Sequence, residues 1–185
     1  VSISGSGNVW DAGNTGFSLT SSTSRISFTY NGILPVTINP GGNAITYNVV
    51  QFTPKNITFL NSGNYDTLSF QAGSLIVLEA QKNQSLNVLL ANGNCGNPIE
   101  IKSSGSVPAT ITNSGPSAIT CNYLRLSLIT KAGTNNMIAN NSIIELAPCA
   151  NWIVNPTAAS TTYYWINGNG KWSDATHWSL SSGGA

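Results

Sequence analysis

Six carboxylates (Asp11, Asp66, Glu79, Glu100, Glu145 and Asp174), seven Lys and Arg, one histidine and three cysteines are the main reactive groups of this 185-residue chain. Sugar hydrolysis or elimination needs two such groups converging on one bond. Only Glu100 finds a candidate partner, Arg125, and only if successive strands stack; the pair then reads as a surface ion pair of little energy. His177 is the sole histidine for a Ser-His-Asp arrangement. It stands beside Trp178 in a Gly- and Trp-rich segment and reads as a packing residue. The Gly-x-Gly pairs Gly5/Gly7 and Gly168/Gly170 open no helix and read as turns rather than a phosphate loop. No loop collects the acidic residues that calcium requires. One histidine and no Cys-x-x-Cys leave zinc short of ligands. The expectation is a protein with no catalytic residues, no cofactor and no metal.

Binding remains open. Tyr30, Tyr65 and Tyr123 can stack on sugar rings if they face outward, although core or coil-edge positions suit them better. No sustained Thr-x-Thr column suggests an ice-binding face.

Composition narrows the classes further. Charged residues make up 7% of the chain, against about 25% in ordinary globular proteins. A net charge of +1 offers nothing to nucleic acid or to an anionic membrane, which call for clustered Lys and Arg. At 41% hydrophobic the chain is not of the disordered type, and no apolar run reaches the 18 residues of a membrane span. Ser, Thr, Asn and Gly supply the polarity. They hydrogen-bond without titrating, which suits a protein outside the cell.

Positioning falls to strands. Short alternating segments such as Arg25-Ile-Ser-Phe-Thr-Tyr30, Thr67-Leu-Ser-Phe70, Ile99-Glu-Ile101 and Tyr123-Leu-Arg-Leu126 recur between Gly, Asn, Ser and Pro clusters, and helix signals are nearly absent. The chain is expected to be all-β. Cys95, Cys121 and Cys149 each precede a strand, at intervals of 26 and 28 residues. A coil of about two dozen residues with about three short strands is the unit of a right-handed parallel β-helix. The alternative is a Greek-key β-sandwich, which has similar strand spacing. In-register coils would stack the three cysteines in a column, about 4.8 Å apart, within reach of a disulfide Cys95–Cys121 or Cys121–Cys149. Equally, all three can be small buried hydrophobes.

The two ends of the chain echo each other. Ile3-Ser-Gly5-Ser-Gly7-Asn-Val-Trp10 near the start matches Ile166-Asn-Gly168-Asn-Gly170-Lys-Trp172 near the end, and Phe17-Ser-Leu19 matches Trp178-Ser-Leu180. This reads as a repeat of about 160 residues in a tandem array. Residues 1–158 form one unit of it. Residues 159–185 are a linker and the aromatic-rich start of the next, with Trp165, Trp172 and Trp178 as junction aromatics.

The segment Tyr163-Tyr-Trp-Ile-Asn-Gly-Asn-Gly-Lys-Trp-Ser-Asp-Ala-Thr-His-Trp-Ser-Leu180 resembles the opening of repeats in very large surface proteins of gliding Bacteroidetes. Leu90-Ala-Asn-Gly-Asn-Cys-Gly-Asn-Pro-Ile-Glu-Ile-Lys-Ser-Ser104, Pro108-Ala-Thr-Ile-Thr-Asn-Ser114, Asn141-Ser-Ile-Ile144 and Asn151-Trp-Ile153 are similar to the bodies of those repeats. The resemblance covers roughly residues 50–185. It implies a β-rich adhesin exported by the type IX system to the cell surface and moved along it during gliding, built as a filament. The implied partners are neighbouring repeats of the same chain and, as adhesion targets, surface glycans or abiotic surfaces. Asp66-Thr67-Leu68 also resembles the short O-glycan acceptor of such proteins, which makes Thr67 a candidate glycosylation site.

Overall fold

The computed structural model describes residues 1–13, 23–32, 34–42, 45–157, 163–179 and 181–183. The later half of the N-terminal echo, including Phe17 and Leu19, lies outside the described residues, as does Leu180.

The chain winds as a parallel β-solenoid. One face is a seven-stranded sheet of β1 (Ser2–Ile3), β3 (Arg25–Phe28), β5 (Thr46–Phe52), β7 (Gly63–Phe70), β9 (Asn83–Ala91), β11 (Ala109–Asn113) and β14 (Ile129–Ala132), stacked in that order. A second seven-stranded face stacks β2 (Gly7–Asp11), β4 (Val36–Asn39), β6 (Asn56–Phe59), β8 (Leu75–Leu78), β10 (Ile99–Ser103), β13 (Leu124–Ser127) and β16 (Ile143–Leu146). The third face, β12 (Ile119–Asn122), β15 (Met137–Asn140) and β17 (Ile153–Asn155), is separate only in the last coils. Every pairing among these strands is parallel. The β-helix expectation holds. The antiparallel Greek-key alternative fails, because its neighbours would have to run in opposite directions.

Alternation makes the core. In β6, β8 and β10 every second residue is buried, so each coil contributes apolar side chains to columns that no coil could bury alone. One column follows the register Val36, Ile57, Ile76, Ile101, Leu126 and Ile144. Another stacks Phe28, Phe52 and Phe70, with ring centroids 4.8 and 5.4 Å apart and nearly parallel planes. It then narrows to Ala91, and on the later coils Cys121, Ala139 and Val154 are in register.

The long strands β5, β7 and β9 turn a corner. Each interrupts its alternation with two consecutive residues outside the core, Asn48-Val49, Asp66-Thr67 and Asn87-Val88. In the coil above, the same corner has opened into a loop at residues 114–118, and β11 and β12 become separate strands. The Cβ that Gly115 lacks would lie 2.5 Å from the Asn87 carbonyl oxygen. Other corners use left-handed residues, among them Asn61, Gln81, Tyr123, Leu128 and Asn141. Asn accepts that conformation readily. Leu128, the single residue between β13 and β14, is held there by burial and by backbone bonds to Leu146 and Ala109.

Asparagines ladder where the third face turns into the second. Asn92, Asn122, Asn140 and Asn155 occupy successive rungs. Asn122 Nδ2 donates to Asn92 Oδ1 at 3.0 Å, and Asn155 Nδ2 to Asn140 Oδ1 at 2.8 Å.

Candidate functional site

Glu100 and Arg125 are register partners on adjacent rungs. Both stand at the centre of apolar-x-apolar strands and so point outward. Their ion pairs go elsewhere: Glu100 to Lys102 at 3.2 Å, and Arg125 to Glu145 at 3.2 Å, all partly exposed. Such pairs contribute about 0–1 kcal/mol. Among the described residues no three His, Cys, Asp or Glu side chains group as a metal site would need.

The cysteines do not form the column that their spacing suggests. Coil length varies: Val49 pairs with Thr67, 18 residues on, whereas Ile76 pairs with Ile101, 25 on. Equal sequence intervals therefore do not keep one register. Cys121 lies opposite Ala139, Cys95 is exposed in the loop before β10, and all three thiols are free. The small-hydrophobe reading fits Cys121, which is fully buried. Burial pushes its thiol up to about 12, so it stays protonated and unreactive at neutral pH. Cys149 is also buried, and its sulfur accepts from the Ile129 N–H at 3.5 Å.

Tyr65 is buried, and its hydroxyl donates to Gln84 Oε1 at 3.2 Å. Tyr30 packs half-buried against the core, and half-buried Tyr123 occupies a left-handed corner. None of the three is an open platform. Thr67 lies at the β7 corner, half-buried, with strands on both sides. Its hydroxyl donates to Asp66 Oδ2 at 3.3 Å, while Asp66 Oδ1 accepts from Asn87 Nδ2.

Two features stand out against this neutral body. The first is the last coil. All four residues of β16 are exposed, with Ile144 at 44% and Leu146 at 55%, and Ile153 joins them. Ile144 is the terminal member of the Val36 column, and β16 and β17 are the last strands of their sheets. Trp152 is buried beneath this end with its indole N–H unpartnered. Ile143-Ile-Glu-Leu146 has the composition of the other strands. Apolar residues at both alternation positions, Ile143 and Ile144, do not set it apart, since Leu75-Ile-Val-Leu78 has the same pattern and is covered on both sides.

The second feature is the aromatic tail. Tyr164–Trp165 (β18) and Trp178–Ser179 (β19) pair antiparallel, unlike every other pair of strands. Trp165 stacks on His177 with centroids 4.8 Å apart, and Trp172 meets Trp178 edge-on at 4.4 Å. Trp172, Trp178, Tyr163 and Ala175 line an open cleft of about 660 Å³, and Trp172 is 78% exposed. His177 Nδ1 lies 3.0 Å from the Ile166 carbonyl and so carries the proton it donates there. Its Nε2 is 3.9 Å from Asp174. Asp174 instead accepts from the Thr176 hydroxyl at 2.7 Å and the Thr176 N–H at 3.0 Å. The hydroxyl bond foremost holds its pKa below the usual carboxylate value. The histidine is a strut of the hairpin. The three tryptophans expected at a junction are thus gathered into one cluster.

No family model matches this chain, and no curated protein or solved structure matches it either.

Proposed function

We propose that this chain is a non-catalytic structural and adhesive repeat of a large extracellular filament, of the kind found in the giant surface adhesins of gliding Bacteroidetes. The observation that carries this reading is the open last coil. A solenoid end that exposes Ile143, Ile144, Leu146 and Ile153 beside unpaired strand edges is one to which a further coil adds, because stacked repeats gain most of their burial from neighbours. The neutral, hydrogen-bonding surface and the repeat-like echo of the two ends support it, as does the resemblance of the tail to the openings of such repeats. Neighbouring repeats are the partners proposed first. Surface glycans or abiotic surfaces are the proposed adhesion targets.

The test is a seamless tandem, residues 1–165 followed by residues 3–157, measured by small-angle X-ray scattering. A rigid rod nearly twice the length of one unit supports the reading. Two independently tumbling bodies would overturn it. Beads coated with the tandem should also adhere to glycan-coated or bare glass more than uncoated beads do.

The cleft of Tyr163, Trp172, Ala175 and Trp178 favours a second reading, a carbohydrate-binding module. Binding of neutral tetrasaccharides by the single unit, lost in Trp172→Ala, would support it over the first.

A further inference from the structure

The two echoing segments share an Ile-x-Gly-x-Gly…Trp motif and differ in structure, and the single residue by which their lengths differ falls at a telling place. Aligning Ile3, Gly5 and Gly7 with Ile166, Gly168 and Gly170 leaves one more residue before Trp10 than before Trp172. That extra residue is Val9. In β2, Asn8 pairs with Thr37 and Trp10 with Ile38, so Val9 is the residue the ladder skips. A bulge accommodates one inserted residue and leaves the pairing on either side intact. Without it, Gly170-Lys-Trp172 has the length of an unbulged β2.

The N-terminal copy owes its structure to the coil that follows it. Ser2 and Ile3 pair with Ser27 and Phe28. Gly7 donates its N–H to the Pro35 carbonyl, and Ala12 to that of Asn39. Trp10 is half-buried, its indole N–H donating to the Tyr47 hydroxyl at 3.1 Å. Every one of these partners comes from the second or third coil. Among the described residues the tail pairs with no solenoid strand, and β18 and β19 close on each other instead.

The glycines permit both outcomes. Gly7 is left-handed, with open space where its side chain would be. In the tail Gly168 is left-handed instead, and Gly170 lies against the His177 ring, which a Cβ would approach to 2.1 Å. The same Gly-x-Gly spacing thus serves a solenoid strand in one place and a hairpin in the other.

We infer that residues 163–179 are an interaction segment for a parallel β-coil edge of the β3/β4 type. Bound to such an edge, the segment gives up the β18–β19 hairpin and becomes the first coil of a solenoid, with Ile166 and Trp172 turned inward as Ile3 and Trp10 are. This rests on the array reading and adds to it how one unit starts the next.

The experiment extends the chain with its own later coils, joining residues 1–182 to residues 22–157. The second solenoid then has only the tail to serve as its first coil. Hydrogen exchange is followed over residues 163–172 and over the appended coils, with the seamless tandem as the control carrying the native first coil. The expected result is about 100-fold slower exchange of the tail amides than in the unextended chain, with appended coils as protected as in the control. Trp172→Ala should lower the melting temperature of the second solenoid and leave that of the first solenoid, read in the unextended chain, unchanged. Tail amides that exchange as before, or appended coils that stay unprotected here yet fold in the control, would overturn the inference. A rod in the control alone leaves the array reading standing.

Discussion

Trp10 and Trp172 close the same short motif at opposite ends of one chain. Trp10 reaches Tyr47 and lies against the core, while Trp172 stands 78% exposed on a hairpin. The two copies share Ile, both glycines and the closing Trp, but the tail adds Trp165 and His177 to its aromatic cluster. The next coil differs as well. A strand of five residues fixes its backbone at about 1–2 kcal/mol per residue, and it recovers that only through ladder bonds and shared burial. Where β3 and β4 are present, the motif becomes two strands. Where they are not, its aromatic rings find one another.

The comparison implies that solenoid stability resides in columns that run through several coils. Phe52, stacked between Phe28 and Phe70 and fully buried, is the place to break one. Phe52→Ala should destabilise the solenoid by about 3–5 kcal/mol, seen as a large fall in the urea midpoint, while the hairpin's aromatic circular dichroism persists. Concerted loss of both would mean that the tail depends on the solenoid.

A sharper test exchanges the two tryptophans. Trp10→Ala removes a half-buried ring and leaves the Tyr47 hydroxyl without one partner, so about 2 kcal/mol of solenoid stability should go. Trp172→Ala should change that stability by less than about 0.5 kcal/mol. Equal effects in thermal unfolding would erase the distinction between the two copies.

Much of this architecture is legible in the sequence. Ile99-Glu-Ile101 and Leu124-Arg-Leu126 announce both their alternation and their mutual register, so Glu100 does lie beside Arg125. The partner that each charge takes is not legible. It depends on side-chain reach and on the irregular step between Leu126 and Ser127, which brings Glu145 to Arg125. The cysteine column failed for a related reason. Corners lengthen from a two-residue bend to a loop without any periodic signal, and a 26-residue interval then spans different faces. The open end was illegible because an apolar strand looks the same whether or not another strand covers it.

The glycines refine the comparison at lower energy. Gly7→Ala meets no atom but forces a left-handed alanine, at about 1 kcal/mol. It should lower the solenoid's melting temperature by a few degrees. Gly170→Ala should leave that temperature alone and instead displace the His177 ring, visible as a shift of its imidazole proton resonances.

The smallest effect separates the two regions by pH. In the body, Glu100, Lys102, Arg125 and Glu145 sit in partly exposed ion pairs that carry little stability. In the hairpin, Asp174 has its pKa depressed by the bonds from Thr176. A carboxylate with a lowered folded pKa contributes stability that is fully present above its unfolded value, near 3.9. That contribution is lost as pH falls through the lower folded value. Acidification below about pH 4 should therefore loosen the 174–177 turn and weaken the Trp165–His177 stack. Amide signals of Thr176 and His177 should move in that range, while those of the core residues Ile57 and Ile76 move less, because among the described residues no buried side chain is a carboxylate. Asp174→Asn should abolish the acid step in the hairpin signals and leave the body's pH profile as it was.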